Sequence, residues 1–179
     1  RAGGVTPADT LLVSTDNLVM LLLSLELLSL NSYLLAGWQR KERRSSEAAL
    51  KYLVYGALAS AIMIFGFSLF FGISGSLSLP AIGLGVSAAW GGELGSQLVV
   101  VLATAFVLVG FGFKIAAFPF HFWAPDVYEG APTPVTTFLA VASKAAGFGM
   151  LLRFVDGVFL GDSINAEWVP HLGQVIAVL

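Results

Sequence analysis

Four long apolar stretches, separated by polar or glycine- and proline-containing segments, dominate the pattern along the chain. They run over 17–38, 48–71, 97–118 and 133–154, and an apolar run at 168–179 has the pattern expected for the start of a further helix. A helix of about 20 apolar residues spans the hydrocarbon core of a bilayer. The pattern therefore predicts an all-α fold, a polytopic transmembrane helix bundle.

The segments between these stretches predict the topology. Segment 39–47 is a short charged loop, and segment 72–96 is a long connector rich in Gly and Ser, with neither Lys nor Arg. Since short cytoplasmic loops collect Lys and Arg, the loop is expected in the cytoplasm and the connector on the opposite side. By alternation, segment 119–132 also faces the cytoplasm. Five of the nine basic residues flank the loop: Arg40, Lys41, Arg43, Arg44 and Lys51.

Composition agrees with a membrane protein and excludes several other classes. The chain is 57% hydrophobic and 11% charged, whereas soluble domains are about 25% charged. Its net charge of −2 and the lack of a basic patch argue against nucleic-acid binding. Without cysteine, the chain has no disulfide, thiolate metal site or iron–sulfur cluster of its own. Because it begins with Arg1 and ends inside an apolar run, we expect an internal piece of a longer membrane protein.

Three charged residues lie near the middle of apolar stretches: Glu26, Lys114 and Lys144. A charge at the centre of a bilayer helix costs about 2.5–3.5 kcal/mol on insertion scales. Such residues face the interior of a bundle, pair with one another and mark ion or proton pathways. Glu26, Ser29 and Tyr33 follow one another at helical spacing, so we expect this face of the first helix to point into the bundle.

Lys114 precedes Pro119 by five residues, which predicts a helix break near the lysine. Proline has no amide hydrogen and crowds the carbonyl of Ile115. A broken membrane helix is tolerated where it is buried in protein or lines a watery cavity. Burial lowers the proton affinity of a lysine and a nearby carboxylate raises it. Lys114 is therefore predicted to load and release a proton as its contact with Glu26 changes, with Lys144 as a second station.

Each of these residues also has an interpretation without proton transfer. Lys114 could snorkel to the interface, and Glu26 could be a neutral acid satisfied by Ser29. His121, just past the break, is either a relay toward the cytoplasmic side, since histidine exchanges protons near neutral pH, or a structural residue. Two aromatic residues beyond the break are predicted to be interfacial anchors: Trp123 and Tyr128.

The motifs around the lysines resemble a known family. Residues 114–135 read Lys-Ile-Ala-Ala-Phe-Pro-Phe-His-Phe-Trp-Ala-Pro-Asp-Val-Tyr-Glu-Gly-Ala-Pro-Thr-Pro-Val, and 143–148 read Ser-Lys-Ala-Ala-Gly-Phe. Together with segments 25–37 and 45–53, they resemble subunit N of bacterial respiratory complex I, the counterpart of subunit 2 in mitochondrial, plastid and cyanobacterial enzymes. The run from Pro-Asp-Val-Tyr to Thr-Pro is specific, because the related cation/proton antiporter proteins carry different versions of it.

The resemblance implies a fold, a site and a task. The family has about fourteen transmembrane helices with two inverted repeats of five helices each, and this chain corresponds to most of the first repeat. The family's proton channel uses a glutamate, a lysine on a broken helix and a lysine on the next helix, which by motif fall on Glu26, Lys114 and Lys144. The task is proton translocation by a subunit of NADH:quinone oxidoreductase, coupled to electron transfer in other subunits.

The resemblance also implies partners and leaves alternatives. No cofactor is expected in this chain, since NADH, FMN, the iron–sulfur clusters and quinone belong to partner subunits. The expected partners are the other membrane subunits of complex I and the lipid bilayer, in the bacterial inner membrane. The alternatives are a subunit of a multi-protein cation/proton antiporter or of a membrane-bound hydrogenase, and a structural membrane subunit whose charges only lock helices together.

Overall fold

The computed structural model describes residues 15–160, and this part of the chain is built of helices. Four helical segments in it are long and apolar enough to cross a membrane. The all-α prediction is therefore confirmed, whereas the predicted helix start at 168–179 lies outside the described residues. The helices of the described residues have these bounds: α1 Leu18–Ala36, α2 Arg43–Ser74, α3 Leu79–Trp90, α4 Leu94–Ile115, α5 Trp123–Gly130, α6 Thr133–Ala140, α7 Ala142–Val155 and a π-helical turn Asp156–Leu160.

The long helix α2 is the centre of the bundle. It packs against α1, α3, α4 and α5, and α4 in turn packs against α7. Its 32 residues give a length of about 48 Å, which exceeds the roughly 30 Å of a hydrocarbon core. The helix ends where Gly75 adopts a left-handed φ of 64°, a conformation that glycine reaches without steric cost.

Small residues allow α2 and α4 to approach closely. A methyl group at Gly66 would lie 2.8 Å from the carbonyl oxygen of Ala103 and 2.8 Å from Cγ2 of Val107. Only a hydrogen atom fits at this position without a shift of the α4 backbone. Membrane helices commonly associate through such small-residue contacts. This contact fixes the distance between α2 and α4.

The second apolar stretch forms a longer helix than the predicted 48–71, because α2 begins at Arg43. Most of the segment predicted as a charged loop is therefore helical. The first turns of α2 carry charges that stabilise a helix on its exposed side: Lys51 Nζ lies 2.9 Å from Glu47 Oε1, one turn away. The hydrophobic pattern predicted only the apolar part of α2, which is the part that can lie in lipid.

The segment 72–96, predicted as a long connector, contains the helix α3. Pro80 lies in its first turn, where a missing amide hydrogen leaves no helical hydrogen bond unmade. The buried residues of α3 repeat at helical spacing and face the bundle; they are Leu79, Ile82, Gly83 and Val86. With 12 residues, α3 is too short to span a bilayer, and its Gly and Ser content hid the helical pattern.

The two other predicted boundaries also change. The third stretch, predicted over 97–118, is helical only to Ile115, and its proline-punctuated sequel at 119–132 contains the short helix α5. The fourth stretch, predicted as one helix over 133–154, is divided at Val141, whose φ of −112° and ψ of −72° depart from α-helical values. Both interruptions lie beside the lysines of the candidate site.

Charged residues gather at the two ends of the bundle. At one end Lys51 Nζ lies 2.6 Å from Asp126 Oδ2, and Arg44 Nη1 lies 3.3 Å from Glu129 Oε1. Segment 119–132 thus lies at the same end as the basic loop, as the alternation of spans requires. At the opposite end Arg153 pairs with Asp16 and contacts Asp156. The ion pairs at the first end connect the start of α2 directly to α5.

Candidate functional site

The helix break lies immediately after Lys114. Helix α4 ends at Ile115, Ala116 adopts a left-handed φ of 56°, and the peptide bond between Phe118 and Pro119 is cis. The amide of Ala117 donates to the carbonyl oxygen of Gly112 at 2.8 Å instead of continuing the α-helical pattern. The predicted break near Pro119 is confirmed, and the carbonyl of Phe113 accepts from the amide of Ala116 at 3.1 Å instead of from that of Ala117, its partner in an unbroken helix.

Trp123 supplies a second donor to this carbonyl. Its Nε1 lies 3.0 Å from the carbonyl oxygen of Phe113, the residue just before Lys114. Only 2% of its surface is exposed, and its ring stacks on that of Tyr52 with centroids 4.5 Å apart. The prediction of an interfacial anchor was wrong for Trp123, since α5 folds back and buries the indole beneath the break. Helix α5 therefore closes the break through a side chain.

Replacing Trp123 by phenylalanine tests this closure. The variant keeps a ring against Tyr52 but loses the hydrogen bond to Phe113, so we expect a destabilisation of about 0.5–1.5 kcal/mol. The measurement is the thermal unfolding midpoint of the purified full-length protein. The matched control is Trp38→Phe, because Trp38 is 73% exposed. Equal midpoints for the two variants would show that the indole hydrogen bond does not hold the break.

Lys114 is buried inside the bundle. Its residue surface is 2% exposed, and Nζ donates to Oγ of Ser29 at 3.3 Å. The side chain therefore reaches across to α1 rather than extending along α4 toward a surface, as snorkelling would require. A buried lysine that directs its amine at a polar face of a neighbouring helix is a candidate for a functional role.

The polar face of α1 carries the acidic member of the site. Ser29 and Tyr33 are buried, and their side chains lie near each other on this face. Glu26 is half-buried and lies one turn before Ser29 on the same face. Its Oε1 is buried and has no hydrogen-bond partner among the residues that the structure describes. The amine of Lys114 therefore binds α1 at Ser29, one helical turn along this face from Glu26.

Lys144 lies on the next helix, half-buried on α7. Its Nζ is 5.6 Å from the ring centroid of Tyr128 on α5, at the distance of a cation–π contact. Tyr128 is thus a partner of the second lysine rather than only an interfacial anchor. One turn further along α7, a methyl group at Gly147 would lie 3.0 Å from Cγ of Lys114. Helix α7 therefore touches the stem of one lysine and carries the other.

His121 lies in the turn at the break. Its ring stacks on Phe122 at 4.8 Å and lies 5.8 Å from that of Phe118. The Nδ1 atom is buried without a hydrogen-bond partner within the range 15–160. These contacts are with neighbours in the chain, so a relay role for His121 stays a prediction. The described residues contain no group of three or more His, Asp or Glu side chains that could hold a metal ion.

Tyr52 is a polar residue of the site that the sequence interpretation missed. It lies within the second apolar stretch and is 1% exposed. Its hydroxyl lies near the side chains of Ser32 on α1 and Ser143 on α7, and Oγ of Ser32 donates to the carbonyl oxygen of Leu28 at 2.7 Å. Its ring meets that of Tyr33 edge to face, with centroids 4.7 Å apart. In the sequence, Tyr52 is recognisable only as a polar residue within an apolar stretch. That position does not show which residues it contacts.

The arrangement defines a class of protein. A bundle of membrane-spanning helices holds a buried lysine at a helix break, a carboxylate on the facing helix and a second lysine on the adjacent helix. Ionisable residues placed in this way in membrane proteins mark ion or proton pathways, so the class is that of membrane proteins with a candidate ion or proton path. The chain belongs to the family described as NADH:quinone oxidoreductase/Mrp antiporter, transmembrane, whose model matches residues 15–178. It is an integral membrane protein.

Individual relatives agree with this assignment. NADH-quinone oxidoreductase subunit N of Chlorobium chlorochromatii is 54% identical over 142 residues, which are 79% of this chain and 27% of that protein. A chain of respiratory complex I from Thermus thermophilus matches with a TM-score of 0.69 and 46% identity, over 82% of this chain and 31% of that one. The resemblance to subunit N inferred from the motifs is confirmed.

The Mrp branch of the family shares the fold. A chain of the Mrp complex from Dietzia sp. matches with a TM-score of 0.72 and 25% identity, over 94% of this chain and 30% of that one. This chain thus spans less than a third of the length of each of these three relatives.

Proposed function

We propose that this chain is part of a membrane subunit of an NADH:quinone oxidoreductase and that it translocates protons, driven by electron transfer in other subunits. The observation that carries the proposal is the buried amine of Lys114, which donates to Ser29 beside the helix break. The name of the Chlorobium relative and its 54% identity support this task over others in the family. The partners are then the other membrane subunits of the complex.

Lys114 is the switchable proton carrier in this proposal, and Glu26 tunes it. A carboxylate close to an amine favours the ammonium form. When the carboxylate moves away from the amine in a low-dielectric site, release of the proton is favoured. The buried Oε1 of Glu26 makes no hydrogen bond in the described part of the chain, so no competing donor holds it away from Lys114. Lys144 receives the proton on the next helix.

Electron transfer is assigned to partner subunits. The whole sequence lacks cysteine, so an iron–sulfur cluster held by this chain alone would lack its usual ligands. NADH, FMN and quinone are likewise proposed to bind elsewhere in the complex. The chain's own contribution is to hold and move protons at ionisable residues of the bundle, of which Lys114 is buried, and this is the use that membrane proteins make of such residues.

The second candidate function is ion exchange in a multi-protein cation/proton antiporter. The Mrp complex from Dietzia sp. favours it, because that structure shares the fold at a TM-score of 0.72. The two functions use the same charged residues but different driving forces. A structural role alone, with charges that only lock helices together, predicts that removing the amine of a buried lysine leaves translocation unchanged.

Purification of the full-length protein from solubilised membranes tests the proposal, with partners identified by mass spectrometry. We expect quinone-site and iron–sulfur subunits to co-purify in one complex that reduces quinone and moves protons. Recovery of antiporter-type membrane partners alone would contradict the proposal and assign the protein to secondary ion exchange.

A further inference from the structure

We propose that Asp126 is a positioning residue for proton translocation, and that its ion pair with Lys51 holds helix α5 in place beside the two lysines of the site. The inference rests on the proposed function, because it concerns the geometry in which Lys114 and Lys144 move protons. The ion pair acts through α5 and does not itself carry the proton.

Helix α5 contacts the surroundings of both lysines. From its first turn, Nε1 of Trp123 donates to the carbonyl oxygen of Phe113, the residue before Lys114. One turn further, the ring centroid of Tyr128 lies 5.6 Å from Nζ of Lys144. A shift of α5 would therefore change the surroundings of both lysines at once.

The position of α5 depends on its contacts with α2. The helix has 8 residues, and isolated helices shorter than about 12–15 residues are marginal in water. Its neighbours therefore decide where it lies, and among the described helices it packs chiefly against α2. A residue that attaches α5 to α2 is thus able to act on the site from outside it.

Two adjacent residues of α2 attach the first turn of α5. Lys51 Nζ lies 2.6 Å from Asp126 Oδ2, and the ring of Tyr52 stacks on that of Trp123 with centroids 4.5 Å apart. Asp126 follows Trp123 by one turn of α5. The ion pair therefore holds the same part of α5 whose indole closes the helix break.

The end of α5 lies against the first turns of α2. A methyl group at Gly130 would lie 2.6 Å from the carbonyl oxygen of Arg44, so the two backbones are in close contact. The pair of Arg44 with Glu129 joins side chains that are 79% and 71% exposed, and water screens such pairs. The side chains of Lys51 and Asp126 are 39% and 51% exposed, so their pair is the stronger ionic attachment.

Each partner also has a stabilising role within its own helix. A carboxylate in the first turn of a helix, as Asp126 is in α5, interacts favourably with the helix dipole. Lys51 pairs with Glu47 one turn away in α2, at 2.9 Å. Neither of these roles involves the other helix. An effect that belongs to the ion pair must therefore be lost equally when either partner is removed.

Asp126→Asn, Lys51→Met and the double variant test this inference in the full-length subunit of the intact complex. A partly exposed ion pair shifts an equilibrium by up to about fivefold, so we expect each single variant to lower proton uptake per quinone reduced by about that factor. The double variant should lose no more than a single variant, because both substitutions break one contact.

Two further variants and two further readouts distinguish positioning from general damage. Lys51→Arg keeps the charge and should translocate as the unmodified complex does. Lys41→Met is the matched control, because Lys41 is exposed in the turn between α1 and α2, and it too should leave translocation unchanged. The amount of assembled complex and the apparent KM for quinone should be the same for all variants.

The outcomes separate this inference from the proposed function. Normal translocation by Asp126→Asn, or losses that multiply in the double variant, would overturn the positioning role. If Lys114→Met stops translocation at the same time, the proposed function stands; if it translocates normally, the proposed function fails as well. Should Asp126→Asn not assemble, Trp123→Phe removes the hydrogen bond at the other attachment of α5; the same loss supports the inference, and normal translocation overturns it.

Discussion

Lys114→Met in the full-length subunit is expected to reduce redox-driven proton translocation by about 100-fold, while the complex still assembles. Methionine keeps an unbranched stem against Gly147, where the packing leaves little space, and removes only the amine. Methionine has nearly the length of the lysine side chain, so the variant leaves no large cavity in the bundle. The measurement is the rate of proton uptake by vesicles that contain the purified complex, per quinone reduced.

The control for this variant is a lysine of the same chain outside the bundle. Lys41 lies exposed in the turn between α1 and α2, and we expect Lys41→Met to leave translocation unchanged. A complex with Lys114→Met that translocates at the rate of the Lys41→Met complex would remove Lys114 from the mechanism. The charged residues would then act only in packing.

Gly66→Leu is expected to prevent assembly of the complex. A Cβ at Gly66 already meets the carbonyl oxygen of Ala103 at 2.8 Å, and backbone cannot move aside as a flexible side chain can. Inserting groups into a packed core typically costs about 1–3 kcal/mol, and here three further carbon atoms would force α2 and α4 apart. The measurement is the amount of subunit recovered in the intact complex from membranes.

Gly72→Leu is the matched control on the same helix. A Cβ at Gly72 would have no neighbouring atom within 4 Å, so the larger side chain meets no obstacle in the described part of the protein. We expect its recovery to equal that of the unmodified subunit. Similar recovery of both variants would show that the close contact between α2 and α4 does not determine assembly.

The helices that lie fully in the membrane could be predicted from sequence because length and hydropathy decide them. Leu18–Ala36 falls within the predicted 17–38, and the break after Ile115 follows from the missing amide of Pro119. Length and hydropathy did not predict the first turns of α2 or any part of α3. Charges at the start of α2 face outward, and α3 is shorter than a span, so neither matches a pattern based on lipid contact.

The charged members of the site were visible in the sequence because a charge in an apolar stretch is costly and therefore conspicuous. The uncharged members of the site, Trp123 and Tyr52, could not be recognised from the sequence. Trp123 finds the carbonyl of Phe113 only because α5 folds back beneath the break. Tyr52 lies near Ser143, which is far along the chain, only because α7 packs against α4, a neighbour of α2. A hydrogen bond between distant residues leaves no periodic signal in either segment.

The central claim is that Lys114 and Lys144 belong to one proton path. The most direct test compares proton uptake by vesicles containing the complex with Lys114→Met, with Lys144→Met and with both. The effects of substituting residues that act in series do not add. We therefore expect the double variant to retain the activity of the less active single variant. Losses that multiply in the double variant would mean that the two lysines act independently of each other, which contradicts a shared path. Normal uptake by the double variant would show that neither lysine carries protons.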